Sequence, residues 1–308
     1  MVPVCFRADR NTESRCATLL DAKATNKKVL EMISKKILLR YKKNKMQRLK
    51  SKFSSRDQLI KYLHDLVPWL DGDESIIIGG YKESQRKLKN MDPNIYCKTR
   101  NFGSGKVTEL SPYISHGIIS LNEVRNYALS KSLEPKKIIK FIQELGWRDF
   151  WQRIAEKNPE YIWNSVENYK TGFVEEDYLD FMPEDITCAT TNIACINSFI
   201  QDLLSTGYVH NHARMYIASY VVHFRRIKWQ TGAKWFLKYL LDGDEASNNL
   251  SWQWVASTFS NKPYIFNLDN VRKYFRNLVD TSVENNKSLN ESYENISKQL
   301  FPKLKGKE

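Results

Sequence analysis

Asp242, Asp244 and Asn248 stand in the run LDGDEASNNLSWQW, with Trp252 completing it and Asn211, Arg214 and Met215 upstream in HNHARMYIASY. Spacings of three and four put Asn211, Arg214 and Met215 on one helix face, and the same periodicity lines up Asp244, Asn248 and Trp252. These polar groups sit inside apolar, aromatic stretches, where they cost free energy unless they meet partners. A cation beside two carboxylates, then an amide and an indole one turn apart, suit a planar, hydrogen-bonding aromatic ligand that carries phosphate.

Other chemistries fit less well. A calcium loop beginning at Asp242 lacks its glycine and has Gln253 where the twelfth ligand would be a glutamate. The His210-Asn211-His212 cluster has no carboxylate or cysteine at zinc-ligand spacing, so no metal site is expected. Trp252 and Trp254 can also be read as core aromatics. A flavin nucleotide meets the description of the whole set.

Those side chains need helices to carry them. Ala213, Ile217, Tyr220 and Val221 predict a helix from about His210 to Phe224, and Trp235, Phe236 and Leu240 mark a second. The Asp242-Gly243-Asp244 turn opens a third. Residues 138–155 (IIKFIQELGWRDFWQRIA) read as a strongly amphipathic helix with Glu144, Trp147 and Arg148 at i, i+3 and i+4. A carboxylate and an indole so placed can bond and stack an extrahelical base, stacking being worth about 1–3 kcal/mol per base. The plainer reading, a Glu144 to Arg148 ion pair, is worth a few tenths of a kcal/mol. Further upstream, GKVTELSPYISHGIIS (105–120) offers the Thr108 and Ser111 hydroxyls at a helix start marked by Pro112; they can meet phosphate, or Ser111 can simply cap the helix.

Composition bounds the setting. Lys and Arg number 48 against 35 Asp and Glu, and net +13 favours a polyanionic partner, nucleic acid or anionic membrane. Residues from about 23 to 61 concentrate that charge around KKILLRYKKNKMQRLK, where Ile33, Ile37, Leu38 and Tyr41 predict one apolar stripe amid lysines. The five cysteines form no CxxC pair, which fits a reducing compartment: cytoplasm is expected, with nucleus or organelle open. No apolar run reaches transmembrane length. A monomer is expected.

Taken together, Thr206-Gly207-Tyr208, His210-Asn211, Arg214-Met215, Trp229, Gly232, Asp242-Gly243-Asp244, Ala246, Asn248-Asn249 and Trp252-Gln253-Trp254 resemble the flavin-binding heart of the photolyase and cryptochrome family. Its pattern runs TG-aromatic-x-HNR-x-RM, WR-x-G and DGDxAxNN-x-x-WQW. The resemblance extends over roughly residues 76–277 and takes in Tyr96, the Thr108 to Ser111 segment and the ELGWRDF motif with Arg148. It implies an all-α fold: a helical FAD-binding domain of photolyase/cryptochrome type, without the N-terminal α/β antenna domain, since no strand-helix-strand alternation precedes residue 75. Expected boundaries are a basic, mainly helical extension (1–75), the flavin domain (76–277) and a polar tail (278–308), frayed from about Thr281.

What the resemblance implies for function is specific. FAD would be held by Tyr96, Thr108, Ser111, Arg148, Asn211, Arg214, Asp242, Asp244 and Asn248, with no antenna chromophore. Glu144, Trp147, Asn211, Met215 and Trp254 would line a cavity for a flipped pyrimidine dimer in damaged DNA, single- or double-stranded. Trp252 and Trp229 would carry electrons, a third member being open among Trp163, Tyr178 and Trp235. Asn248, where plant cryptochromes place an acid, favours repair; His210-Asn211 favours cyclobutane dimers. Departures lie at Val107 and Glu109, at Asn192, Ala194 and Asn197, and after Pro263-Tyr264, where the family's arginine is missing. Three readings stay open: a light-driven repair enzyme, a cryptochrome-like sensor with a protein partner, and a nucleic-acid-binding module without flavin.

Overall fold

The structure is a computed structural model that describes residues 48–68, 74–132 and 134–304. The apolar stripe expected at residues 33–41 lies outside the described residues. The chain divides into two units, one ending at Glu74 and one beginning at Ser75. In the first, Ser55 caps α1 (Arg56–Leu66) by accepting from the Gln58 amide, and Arg56 pairs with Glu74 at 3.1 Å. No residue of α1 is buried.

The regular elements of the second unit are helices. Its helices are α2 (Tyr81–Asn90), α3 (Pro93–Thr99), α4 (Ser111–Ser115), α5 (Leu121–Ser130), α6 (Ile139–Lys157), α7 (Glu184–Thr187), α8 (Ala194–Thr206), α9 (Asn211–Ser219), α10 (Trp229–Tyr239), α11 (Glu245–Ala256), α12 (Leu268–Phe275) and α13 (Tyr293–Leu300). Short polar signals start several of them. Asp92 with Pro93 opens α3, Ser120 and Glu123 form a reciprocal capping box on α5, and Asp244 caps α11 through the Ser247 amide. Among the described residues the only strand-like pairing is a single parallel bridge between Leu179 and Ile227. No helix there is long and apolar enough to cross a membrane.

Two cores hold these helices. The larger gathers α8 to α12 around Trp229, Tyr216, Tyr220, Phe199, Phe236 and Phe266. The smaller packs Leu88, Leu110, Tyr113, Ile119, Val124 and Phe141 from α2 and α4 to α6. At the centre of the larger core, the Trp252 ring lies where a Cβ on Gly232 would come within 2.3 Å. Only glycine allows α10 and α11 to approach so closely at that point.

α11 also organises the chain before it through buried amides. Gln253 Nε2 donates to the carbonyls of Tyr161 and Asn164, its Oε1 accepts from the Val166 amide, and Asn249 Nδ2 donates to Ile162 O at 2.7 Å. Fully buried amides are tolerated there because each finds backbone partners.

Three expectations change. The helix expected to run from His210 to Phe224 is α-helical only to Ser219 and continues as one π-helical stretch, Tyr220–Phe224. α6 is less one-sided than its sequence pattern: it buries Phe141 but leaves Ile139, Trp147 and Phe150 exposed. The stretch expected to fray after Thr281 instead packs. Leu289, Ile296 and Phe301 supply three buried apolar anchors within polar composition, and Asn285 O and Asn286 Oδ1 accept from the first amides of α8. Arg226 donates to Leu300 O and lies 5.8 Å from the Phe301 ring centroid.

Candidate functional site

The turn between α10 and α11 presents Asp242 and Asp244 to α4, α6 and α9. Arg214 Nη2 on α9 donates to Asp242 Oδ2 at 2.9 Å, and Ser111 Oγ at the start of α4 donates to the same oxygen at 2.5 Å. Ser115 Oγ, one turn along α4, donates to the Asp242 carbonyl and accepts from Arg148 Nη2 at 2.8 Å. Arg148 also lies 3.5 Å from Asp244, whose carboxylate accepts from Gln152 Nε2 at 2.7 and 2.8 Å. Five predicted residues, Ser111, Arg148, Arg214, Asp242 and Asp244, thus join one network.

Its electrostatics favour charge despite burial. Desolvation would raise the Asp242 carboxyl, but Arg214, the Ser111 hydroxyl and Arg148 together hold it below the ordinary value. Burial likewise works against the Arg214 charge, and Asp242 more than offsets it. Arg214 is fixed further by donating Nε to Val209 O and lying 5.5 Å from the Tyr208 ring centroid. Asp242 Oδ1 is buried and has no hydrogen-bond partner, so the network keeps one acceptor open.

Asn248 sits one turn along α11. Its Nδ2 donates to Ala233 O and Asn249 Oδ1, which fixes the side chain against α10. Trp252 and Trp229 lie deep in the larger core. Trp229 donates Nε1 to Ser165 Oγ at 2.9 Å, while the buried Trp252 Nε1 has no acceptor.

A second face is aromatic. Trp147, 50 % exposed, stacks on Trp151 with centroids 5.5 Å apart and meets Phe150 edge-on. Trp151 continues to Phe259 and Phe259 to Tyr161, and Trp254, 41 % exposed, packs against Tyr264. Trp147 and Arg148 are neighbours on α6, so that one helix serves both the aromatic face and the polar network.

Glu144 does not pair with Arg148. It pairs with Arg100 at 3.3 Å and Lys140 at 3.1 Å, because Arg148 is drawn to Ser115 and Asp244. Tyr96 packs edge-on to Phe141, and burial, aided by Glu144, pushes its phenol up to about 12. Thr108 stands outside the network, its Oγ1 accepting from the Leu110 amide at 3.4 Å. Asn211 is exposed at the start of α9 and Met215 is half-buried one turn later. Glu109, a departure in the sequence, takes a left-handed backbone (φ 51°) and pairs with Lys87, which offsets its charge. At Asn192 to Asn197 the chain forms its own lock: Asn197 accepts from the Thr191 amide and hydroxyl and donates back to Thr191 O.

Ser115, Gln152, Arg100 and Lys140 were not among the expected residues. Ser115 and Gln152 each stand four residues after a predicted one, Ser111 and Arg148, and that spacing is the signal that could have found them.

Residues 141–289 match the family described as the FAD binding domain of DNA photolyase. A deoxyribodipyrimidine photo-lyase of Vibrio cholerae is 32% identical over 211 residues, 66% of this chain and 44% of that protein. The archaeal photolyase from Sulfolobus tokodaii, solved with two FAD molecules, matches with TM-score 0.56 and 25% identity over 76% of this chain and 52% of its own. A cryptochrome of Synechocystis shares the fold, with TM-score 0.60 and 20% identity over 83% of this chain and 56% of its own. The chain spans less than half the length of the Vibrio relative.

Proposed function

We propose that this chain, whose residues 141–289 match the FAD binding domain of DNA photolyase, is a light-driven DNA repair protein of the photolyase/cryptochrome family acting on cyclobutane pyrimidine dimers. The observation that carries this reading is the division of labour on α6, where Arg148 enters the charged network and the adjacent Trp147 offers an open aromatic surface.

The residues suit FAD. Asp242 Oδ1 is a buried acceptor without a partner beside a fixed arginine, and such an atom favours a ring N–H. Arg214, Asp242, Asp244 and Asn248 would hold the flavin, with Tyr96, Thr108, Ser111, Arg148 and Asn211 around its phosphates, ribose and remaining edges. When bound, FAD supplies light absorption and the electron that opens the cyclobutane ring. Asn248 presents an amide and imposes no charge there. The Arg214–Asp242 pair keeps its two charges together, so the local field stays fixed while charge moves nearby.

On the aromatic side, Trp147 and Trp254 would stack on a flipped dimer, while Glu144, Asn211 and Met215 bond or pack its edges. Trp252 and Trp229, both buried, would carry an electron to or from the flavin.

A second reading is a cryptochrome-like photoreceptor that repairs nothing. It is favoured by one observation: Glu144 is already engaged by two cations. The separating experiment uses an oligonucleotide with one thymine dimer and protein of measured flavin content, under blue light with reductant and in darkness. Light-dependent dimer loss supports repair; none from flavin-loaded protein moves the assignment to the photoreceptor.

A further inference from the structure

The last turn of α12 carries Arg272 and Lys273 and is followed by Arg276, and these three with Asp269 and Thr281 line a pocket of about 490 Å3. Arg272 is held in place from two sides. Its Nη1 donates to Asp269 Oδ1 at 3.1 Å, while Nε and Nη2 donate to Thr281 O at 3.3 and 3.1 Å. Lys273 and Arg276 meet no carboxylate among the described residues; the Lys273 ammonium lies 5.1 Å from the Tyr274 ring centroid. The Thr281 hydroxyl is likewise without a described acceptor.

The pocket wall is largely the apolar stems of these residues, and the charges it offers are Lys273 and Arg276, its one carboxylate being turned to Arg272. Two such cations attract an acceptor-rich anion, and the Arg276 guanidinium fork matches phosphate oxygens. Cations near a helix C-terminus also complement its dipole. That accounts for Arg272 and Lys273, but not for the hollow they share with Thr281.

Its position is informative. Tyr274, between Lys273 and Arg276, packs 4.5 Å from the His212 ring and 5.3 Å from Phe102, and its carbonyl accepts from the Gly103 amide. His212 follows Asn211, which the proposed function places at the lesion. The pocket thus lies on the element packed beside that edge of the site.

We infer that this pocket binds a phosphate ester, and that the ester is a backbone phosphate of the DNA being repaired. The chemistry rests on the pocket; the source of the phosphate rests on the DNA reading above. The test is the double variant Lys273→Glu with Arg276→Glu in the full chain. Two quantities are read in darkness: the salt dependence of binding to a fluorescein-labelled, undamaged oligonucleotide, and calorimetric binding of inorganic pyrophosphate. Both side chains are exposed, so the fold should hold, and bound flavin at the wild-type level checks it.

A DNA-backbone contact predicts that the slope of log K against log salt falls by about one to two units in the variant. An unchanged slope with pyrophosphate binding lost would keep the phosphate site and reassign it to a soluble phosphate ester. If the wild-type chain binds no DNA, the repair reading fails, and pyrophosphate binding lost in the variant would still support the pocket. If neither slope nor pyrophosphate binding responds to the double reversal, the pocket proposal is overturned.

Discussion

The charged network around Asp242 and the aromatic face around Trp147 meet on α6 but are built on opposite terms. In the network, groups from α4, α6, α9 and the turn before α11 hold one another, and Asp242 is 7% exposed. On the aromatic face the rings touch each other, yet Trp147 and Trp254 keep two-fifths or more of their surface open. The first is pre-arranged, as a resident cofactor with a fixed shape requires; the second is left adaptable, as an exchanging substrate requires. Removing a network residue should therefore damage fold and flavin together, whereas removing a ring should damage recognition and spare the fold.

The largest effect is expected from Asp242→Asn. It leaves Arg214 largely buried without its counter-charge, a loss of about 3–5 kcal/mol. Chemical denaturation should show the drop, and the purified protein should lose its flavin.

Acid gives a graded version of the same test. Burial is the main cause that pushes His210 and His223 down to about 4, with neighbouring His212 and Arg214 contributing at His210. The unfolded chain takes up those protons near pH 6.5, so stability should be full above that pH and decline as pH falls toward 4. For the fully buried His223 the shift corresponds to about 3 kcal/mol. His223→Phe should flatten this decline in Tm. The Asp242 contribution, from a depressed carboxyl, should persist throughout and be lost only below about pH 4.

Gly232→Ala probes the support behind both regions. A Cβ there meets the Trp252 ring at 2.3 Å, and overpacking of this kind costs about 1–3 kcal/mol. Unfolding midpoints would read it, and an unchanged midpoint would mean that Trp252 moves freely. The smallest change in stability is expected for Trp147→Ala, about 1 kcal/mol from its contacts with Trp151 and Phe150. Its effect should appear instead as a loss of about 1–3 kcal/mol in affinity for a dimer-containing oligonucleotide.

Much of this was legible in the residues. The spacing of Arg214, Asp244, Asn248 and Trp252 and the Asp242-Gly243-Asp244 turn located α9 and α11, because helical periodicity and capping are local signals. Which partner each charge takes is not local. Glu144 and Arg148 are four apart, yet they separate because Ser115 and Asp244 approach from distant parts of the chain. The segment after Thr281 reads as polar tail for a related reason: three apolar side chains suffice when α8 and the larger core offer places to bury them.

The measurement that tests the account most directly is the ratio of light-driven dimer loss to bound flavin, in the wild-type chain and in Trp147→Ala at equal flavin occupancy. Repair by the wild type and a collapse of that ratio in the variant are expected, with its absorption spectrum unchanged. Flavin-loaded wild-type protein that leaves the dimer intact, or a variant that repairs at the wild-type ratio, would contradict it.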